Sequence, residues 1–227
     1  MNVDEIIKKL KSMENKKNVD GMARFGINPK NNLGISVTNL RKFAREIGKN
    51  HDIALKLWKT EIQDARMLAA HVDDPKKVTE EQMEKWVSDF DSWNVCDNAT
   101  GHLFDKTKYS IKKALEWSER DEEFVKRAGF AMMAWIAVHD KKINESIFDP
   151  FFDAIIKQST DERNYVKKAV NWALRNIGKR NLKMNKKSIK TAEEIKKINN
   201  KTAKWIANDA LRELKSEKIQ NRLKKKS

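Results

Sequence analysis

The segment Val125-Lys126-Arg127-Ala128 recurs later in the chain as Val166-Lys167-Lys168-Ala169. The second copy continues into a pattern that returns once more between Asn208 and Arg212. Irregular periods of roughly 40 residues, filled by paired helices, are typical of HEAT-like repeats, whose units stack because none can bury its apolar face alone. The sequence therefore predicts an all-α fold, a HEAT-like helical solenoid with a concave basic face. An ordinary helical bundle with similar Ala-rich helices is the alternative.

The composition of the chain also favours helices. Among 227 residues there are only seven Gly and three Pro, too few for a turn-rich all-β fold. Local patterns mark helix starts: Thr38 and Asp52 are candidate N-caps, and Thr79 opens a capping box with Gln82. We expect one domain over residues 1–227, with a Lys-rich helical C-terminal part at residues 179–227.

The charge of the chain points to a polyanionic partner. The formal net charge is +15, and most of the excess of Lys and Arg lies in the C-terminal part. Such a surface favours nucleic acid, with an affinity that falls as salt rises; a merely solvated Lys-rich surface is the alternative. The one cysteine, Cys96, fits a reducing cytosol, and no apolar run approaches the roughly 18 residues of a membrane span. We expect a soluble, cytoplasmic protein without a membrane partner.

Trp93 and Asp97 are the residues best suited to chemistry. They are one helical turn apart, which places an indole and a carboxylate on one helix face. The carboxylate could stabilise an oxocarbenium ion or orient a water molecule. Trp93 and Trp172 could hold a cationic base, with on the order of 0.5–2 kcal/mol of attraction per aromatic face. The alternatives are a helix cap or ion pair for Asp97 and core packing for the indoles.

The remaining tryptophans are better explained by core packing, and the basic residues of the repeats by contacts with phosphates. The five core candidates are Trp58, Trp86, Trp117, Trp135 and Trp205. Arg127 could make a bidentate contact with a phosphate. A basic strip that suits backbone tracking would extend from it through Lys126, Lys167, Lys168 and Arg175. A solvated charged face is the alternative for each lysine.

Other chemistries find little support in the sequence. Cys96 has no nearby histidine apart from His102, which gives a poor basis for a thiol protease. The four histidines lack the paired spacing of metal ligands, and the chain has neither a phosphate-cradling Gly-rich loop nor a nucleotide-cofactor fingerprint.

From Met22 to Gly178 the chain resembles the DNA alkylation repair enzyme family of HEAT-like-repeat DNA glycosylases, the AlkD type. Five places carry the resemblance: Met22-Ala23-Arg24-Phe25, Leu33-Gly34-Ile35 with Leu40-Arg41, Ser92 to Asp97, Val125 to Ala128, and Lys168 to Trp172. Two positions depart from it. Phe25 lacks the hydroxyl group of a tyrosine, and Asn94 stands where an acid is sometimes present.

The resemblance implies a monofunctional glycosylase that acts on duplex DNA as a monomer, without a metal or redox cofactor. It would hydrolyse the N-glycosidic bond of N3- or N7-alkylated purines such as 3-methyladenine and 7-methylguanine. Alkylation makes the base a good leaving group, so the enzyme mainly has to stabilise the cationic sugar. The implied catalytic residues are Asp97, Trp93 and Trp172, and the implied DNA contacts include Arg127, Arg24 and Phe25. The alternatives are a non-catalytic nucleic-acid-binding solenoid and a helical scaffold for another protein.

Overall fold

A computed structural model describes residues 1–225, so Lys226 and Ser227, the end of the predicted domain, lie outside the described residues. Within residues 1–225 the chain forms fourteen α-helices, two short 3-10 turns and no β-strand. It divides into two compact units, one spanning Met1–Lys108 and the other beginning at Tyr109. The all-α prediction is confirmed, whereas the single domain over residues 1–227 stays a prediction.

The helices are short and follow one another closely. The first unit contains α1 (Val3–Ser12), α2 (Lys16–Ala23), α3 (Val37–Ile47), α4 (His51–Trp58), α5 (Gln63–Val72), α6 (Glu80–Ser88) and α7 (Trp93–His102), followed by a 3-10 turn (Phe104–Lys106). The second contains α8 (Ser110–Ser118), α9 (Glu123–His139), a 3-10 turn (Glu145–Ile147), α10 (Phe148–Lys157), α11 (Asn164–Gly178), α12 (Leu182–Lys196), α13 (Lys201–Leu214) and α14 (Glu217–Lys224). In the described part of the chain, every helix is too short or too polar to cross a membrane.

Polar side chains at the N-caps fix where several helices begin. Thr79 accepts a hydrogen bond from the third backbone N–H of α6 at 3.1 Å, so the predicted N-cap is confirmed. The capping box is not completed, because the side chain of Gln82 donates to Asp73 Oδ2 at 2.7 Å. The predicted caps Thr38 and Asp52 were wrong, because α3 is capped by Ser36 and α4 by Asn50. Both observed caps have extended backbone, and each side chain reaches the third N–H of its helix, so the helix starts before the predicted residue.

The repeated segments form α9 and α11, which pack side by side in the second unit. Equivalent positions are buried in both copies, Val125 and Ala128 in α9 and Val166 and Ala169 in α11. The small alanines allow the helices to approach closely, and α11 in turn packs against α13. This recurrence of buried positions explains the periodicity of the sequence.

Gly129 lies where α9 packs closely against the backbone of α8. A Cβ atom at this position would lie 2.6 Å from the backbone nitrogen of Ser118 and 2.8 Å from the carbonyl oxygen of Ala114. Backbone atoms cannot yield as a flexible side chain can, so Gly129→Ala is expected to lower the free energy of unfolding by about 1–3 kcal/mol. Chemical denaturation would measure this loss.

Gly21→Ala is the matched control for that experiment. Gly21 also lies inside a helix, α2, but a Cβ atom there would meet nothing within 4 Å. Since Ala favours the helix over Gly, the control variant should be as stable as the parent chain or slightly more stable. An equal loss of stability in both variants would show that close packing at Gly129 is not the cause.

The five tryptophans predicted to be core residues differ in their burial. Trp58, Trp86 and Trp117 are buried, and the first two stack with ring centroids 3.9 Å apart. Trp135 is half-buried. The core prediction was wrong for Trp205, whose side chain is 42% exposed and lies under the ammonium group of Lys167 at 5.6 Å.

Candidate functional site

The loop between α2 and α3 is held against the N-terminal end of α5. The carboxylate of Asp64 accepts hydrogen bonds from the backbone N–H groups of Leu33 at 2.6 Å and Ile35 at 3.0 Å. Burial raises the pKa of Asp64, and these two N–H groups act in the opposite direction by stabilising the carboxylate. The side chain of Gln63 adds a hydrogen bond to the carbonyl oxygen of Asn28 at 2.6 Å. The loop therefore has a defined position in the first unit.

The same loop also contacts the start of α7. Asn28 donates its backbone N–H to Ser92 Oγ at 3.3 Å and its side-chain amide to Asp91 Oδ2 at 2.7 Å. Trp93 Nε1 donates to the carbonyl oxygen of Phe25 at 3.0 Å. Two of the segments that carry the family resemblance, which are distant in sequence, are thus joined by a hydrogen bond.

An apolar hollow lies where these two segments meet. Its volume is about 610 Å³, and Met22, Phe25, Ile27 and Trp93 provide its apolar lining. The ring of Phe25 is 76% exposed, and Trp93 is half-buried. Exposed aromatic faces of this kind can stack on a nucleobase.

Asp97 lies one turn after Trp93 in α7 and is half-buried. A spacing of four residues puts the two side chains on the same side of the helix, about 6 Å apart along its axis. Neighbouring positions such as Val95, Cys96 and Ala99 are buried. The buried residues of α7 thus form its packed face, and Trp93 and Asp97 lie at the partly exposed edge of that face.

Arg127 and Trp172 belong to the second unit. Arg127 is on α9 and only 6% exposed, and its Nη1 atom donates to the carbonyl oxygen of Tyr165 at 2.8 Å. Trp172 is on α11, half-buried, with its ring edge-to-face against Trp135 at 5.3 Å. The packing of α9 on α11 therefore brings Arg127 to the start of the helix that carries Trp172.

The predicted basic strip begins at Arg127, which is only 6% exposed, and is interrupted at two further positions. Lys126 is 6% exposed, and its ammonium group lies 3.0 Å from Gln158 Oε1 and 3.7 Å from Asp161 Oδ2. Arg175 is half-buried and pairs with Glu213 at 2.8 Å. Both cations compensate buried or half-buried polar partners between helices, so they do not extend an exposed surface. The other predicted contacts are half-buried or exposed: Lys167, Lys168 and Arg24.

A family model described as DNA alkylation repair enzyme matches residues 6–214. The chain belongs to this family.

Two relatives and one solved structure are also similar to this chain. An uncharacterised Listeria innocua protein, Lin0241, is 23% identical over 203 residues, which is 86% of this chain and 87% of that protein. An uncharacterised Listeria monocytogenes protein, Lmo0209, is 27% identical over 131 residues, 56% of this chain and 58% of that protein. One solved structure matches with a TM-score of 0.78 at 17% identity, covering 94% of this chain and 95% of the other. It is described as a new family of proteins related to the HEAT-like repeat DNA glycosylases with affinity for branched DNA structures. The HEAT-like fold prediction is confirmed.

This member of the DNA alkylation repair family also has a polar row that starts from α7, the helix of Trp93 and Asp97, and that sequence reasoning missed. Asn98 Nδ2 lies 3.2 Å from His71 Nε2 on α5, and the rings of His71 and His102 are 4.3 Å apart. Arg41 on α3 reaches His102 Nε2 at 3.2 Å. The spacing of four between Asn98 and His102 was a signal available in the sequence, but the pairing with α3 and α5 depends on tertiary packing.

His71 should make the stability of the protein depend on pH. Burial, and then the charges of Arg41, Lys106 and Lys49, lower its pKa from 6.5 to about 4. Between those values the unfolded chain binds the proton more readily, so the stabilising contribution is present above pH 6.5 and is lost as pH falls towards 4. His71→Gln should therefore show a smaller drop in melting temperature between pH 7 and pH 5 than the parent protein. Equal drops would contradict this role.

Proposed function

We propose that this protein is a monofunctional DNA glycosylase that excises N3- or N7-alkylated purines, such as 3-methyladenine and 7-methylguanine, from duplex DNA. Membership of the DNA alkylation repair family supports the class of activity. The single observation that carries the proposal is the junction in the first unit, where Trp93 donates to the carbonyl oxygen of Phe25 and Asp97 follows one turn later. This junction combines the aromatic rings of Phe25 and Trp93 with the carboxylate of Asp97.

The proposed reaction needs an anion and not a strong acid. The bond between C1′ of the sugar and the purine nitrogen breaks, and its electron pair leaves with the base, whose positive charge is thereby neutralised. The sugar becomes an oxocarbenium ion, which the carboxylate of Asp97 stabilises electrostatically. A water oxygen then bonds to C1′, and its proton passes to Asp97 or to solvent. The products are the free purine and an abasic site.

Trp93 is assigned the role of an aromatic face towards the cationic nucleotide. Alkylated purines carry a positive charge, and a cation over an indole gains on the order of 0.5–2 kcal/mol. Phe25 at the rim of the hollow offers a second ring but no hydroxyl group. In the second unit, Trp172 is assigned a further aromatic contact.

Phosphate contacts are proposed for Arg127, Arg24 and Lys168, with Lys167 beside them. These side chains differ in exposure: Arg127 is largely buried, whereas Arg24 and Lys168 are exposed. The net charge of +15 supports a salt-dependent affinity for duplex DNA, which the protein would bind as a monomer.

Release of methylated bases from duplex DNA tests the proposed function. The purified protein would be incubated with DNA carrying 3-methyladenine and 7-methylguanine, and free bases and alkali-labile abasic sites would be quantified. We expect both products in equal amounts and above the spontaneous rate. Binding of the DNA without any release would refute the glycosylase assignment.

Binding of DNA without chemistry is the second candidate function. Two observations favour it: the basic charge of the chain and the likeness of its fold to a protein described as having affinity for branched DNA structures. This alternative predicts tighter binding to a four-way junction than to a linear duplex of equal length, together with no release of bases.

A further inference from the structure

A second cavity, of about 350 Å³, opens in the first unit where α3, α5 and α7 end. Its polar lining consists of Arg41 and Arg45 from α3, Lys49 just beyond that helix, His71 near the end of α5 and His102 at the end of α7. No Asp or Glu is among the described residues that line it. It is distinct from the apolar hollow beside Phe25.

Lys49, which lines this cavity, and Lys106, which lies just after α7, are both held by backbone carbonyl groups. Lys49 Nζ donates to the carbonyl oxygens of His71 at 2.9 Å and Asp73 at 2.6 Å. Lys106 Nζ donates to the carbonyl oxygen of His102 at 2.9 Å. These carbonyls belong to the C-terminal ends of α5 and α7, where helices favour cations. Helix-end stabilisation therefore accounts for both lysines.

Helix-end stabilisation does not account for Arg41, whereas Arg45 lies in the last turn of α3, where a cation is also favoured. Arg41 contacts the His102 ring, and because a guanidinium only donates, His102 Nε2 is the acceptor in that contact. Among residues 1–225, neither Arg41 nor Arg45 forms an ion pair with a carboxylate. Both arginines are exposed while lining the cavity, so their charges act on whatever enters it.

The acids close to the cavity are mostly committed to other partners. Glu46 pairs with Lys9 at 2.6 Å, and the side chain of Asp73 pairs with His51 at 2.7 Å. Asp73 and then Asp74 still act electrostatically on Lys49, and the Oδ1 atom of Asp74 accepts the backbone N–H of Lys76. The low pKa of His71, caused by burial and then by Arg41, Lys106 and Lys49, agrees with a positive potential here. The region carries an excess of cations around an open space.

We propose that this cavity binds a phosphate oxyanion, held by the guanidinium groups of Arg41 and Arg45 and the ammonium group of Lys49. Guanidinium groups suit the geometry of phosphate oxygens, and charge-assisted hydrogen bonds of this kind are the strong ones. The volume accommodates a phosphate group together with part of the molecule that carries it.

The position of the cavity on α7 suggests what carries the phosphate. His102 follows Asp97 by five residues, about 7.5 Å along the helix axis and about 140° around it. Each DNA strand carries one phosphate per roughly 3.4 Å, so a strand bound near Asp97 has backbone phosphates on the scale of this separation. This assignment to a DNA strand rests on the proposed function, whereas the affinity of the cavity for phosphate does not.

Nuclear magnetic resonance of the histidine side chains tests the proposal on the full chain. Inorganic phosphate, added at constant ionic strength against chloride, should shift the His71 and His102 imidazole resonances and raise the pKa of His71, because a bound anion stabilises its protonated form. In the double variant Arg41→Gln, Arg45→Gln the affinity for phosphate should fall at least about tenfold. Shifts no larger than those caused by chloride would overturn the proposal.

Lys42→Gln supplies the matched control, since Lys42 is an exposed cation on α3 outside the cavity lining. It should leave the affinity for phosphate within about twofold of the parent value, as expected for a screened surface charge. An equal loss in the control and in the double variant would overturn the site, because general electrostatic attraction would then explain the binding. The single variant Arg45→Gln, at an exposed position, covers the case in which the double variant does not fold.

A duplex oligonucleotide added in place of phosphate identifies the source. Shifts of the same two imidazole resonances by DNA, lost in the double variant, would assign the cavity to a backbone phosphate. Shifts by inorganic phosphate alone would assign it to a small phosphorylated molecule. The Asp97→Asn variant should bind phosphate as tightly as the parent protein. Phosphate binding is therefore measured independently of base release, so failure of the proposed function and failure of this site can be told apart.

Discussion

Replacing Asp97 with Asn is expected to lower the rate of base release by about 100- to 1000-fold, which is the usual effect of removing one preorganised electrostatic partner of a transition state. The substitution removes the negative charge and keeps the size of the side chain, so the sugar cation loses its counter-charge while the packing of α7 is preserved. Single-turnover release of 7-methylguanine from a duplex oligonucleotide, at saturating protein, measures the effect.

The affinity of the same variant for DNA separates catalysis from binding. Removing a carboxylate from a basic protein cannot weaken its attraction for a polyanion, so the dissociation constant should stay within about twofold of the parent value or decrease. Asp91→Asn is the matched control, because Asp91 precedes α7, is exposed and contacts Asn28. Full release activity in Asp97→Asn, or an equal loss in the control, would remove Asp97 from the mechanism.

The fold was predictable because the residues that recur in the sequence are the ones buried between the helices. Val125, Ala128, Val166 and Ala169 are apolar or small in both copies since both helices pack in the same way. Cap positions were predicted less well. Ser36 and Asn50 precede the residues that the pattern indicated, and only the backbone conformation decides which of several polar residues acts as the cap.

The candidate site was predictable where its members are close in sequence. Trp93 and Asp97 share a helix turn, so their common side follows from the spacing alone. Lys126 was misjudged because its burial depends on Gln158 and Asp161, which tertiary packing brings from beyond the helix. The same limit applies to the cavity of Arg41, Arg45 and Lys49, whose histidines come from two further helices.

Substitutions at Trp93 should distinguish an aromatic role from a structural one. During the proposed reaction the positive charge moves from the base to the sugar, so a ring placed near Asp97 can contribute in the transition state as well as in the ground state. Trp93→Leu should reduce the single-turnover rate constant by about 2- to 30-fold, the equivalent of 0.5–2 kcal/mol of cation–π attraction. Trp93→Phe should retain most of the rate.

The comparison between the two variants decides which property of Trp93 matters. Both lose the hydrogen bond from Nε1 to the carbonyl oxygen of Phe25, and only Phe retains an aromatic face. If Leu and Phe reduce the rate equally, the hydrogen bond that positions the loop is the cause and the ring has no role towards the cation. If Phe is close to the parent and Leu is not, the ring itself acts on the charged nucleotide. Trp205→Phe, at an exposed position on α13, should leave the rate unchanged and controls for general effects of losing an indole.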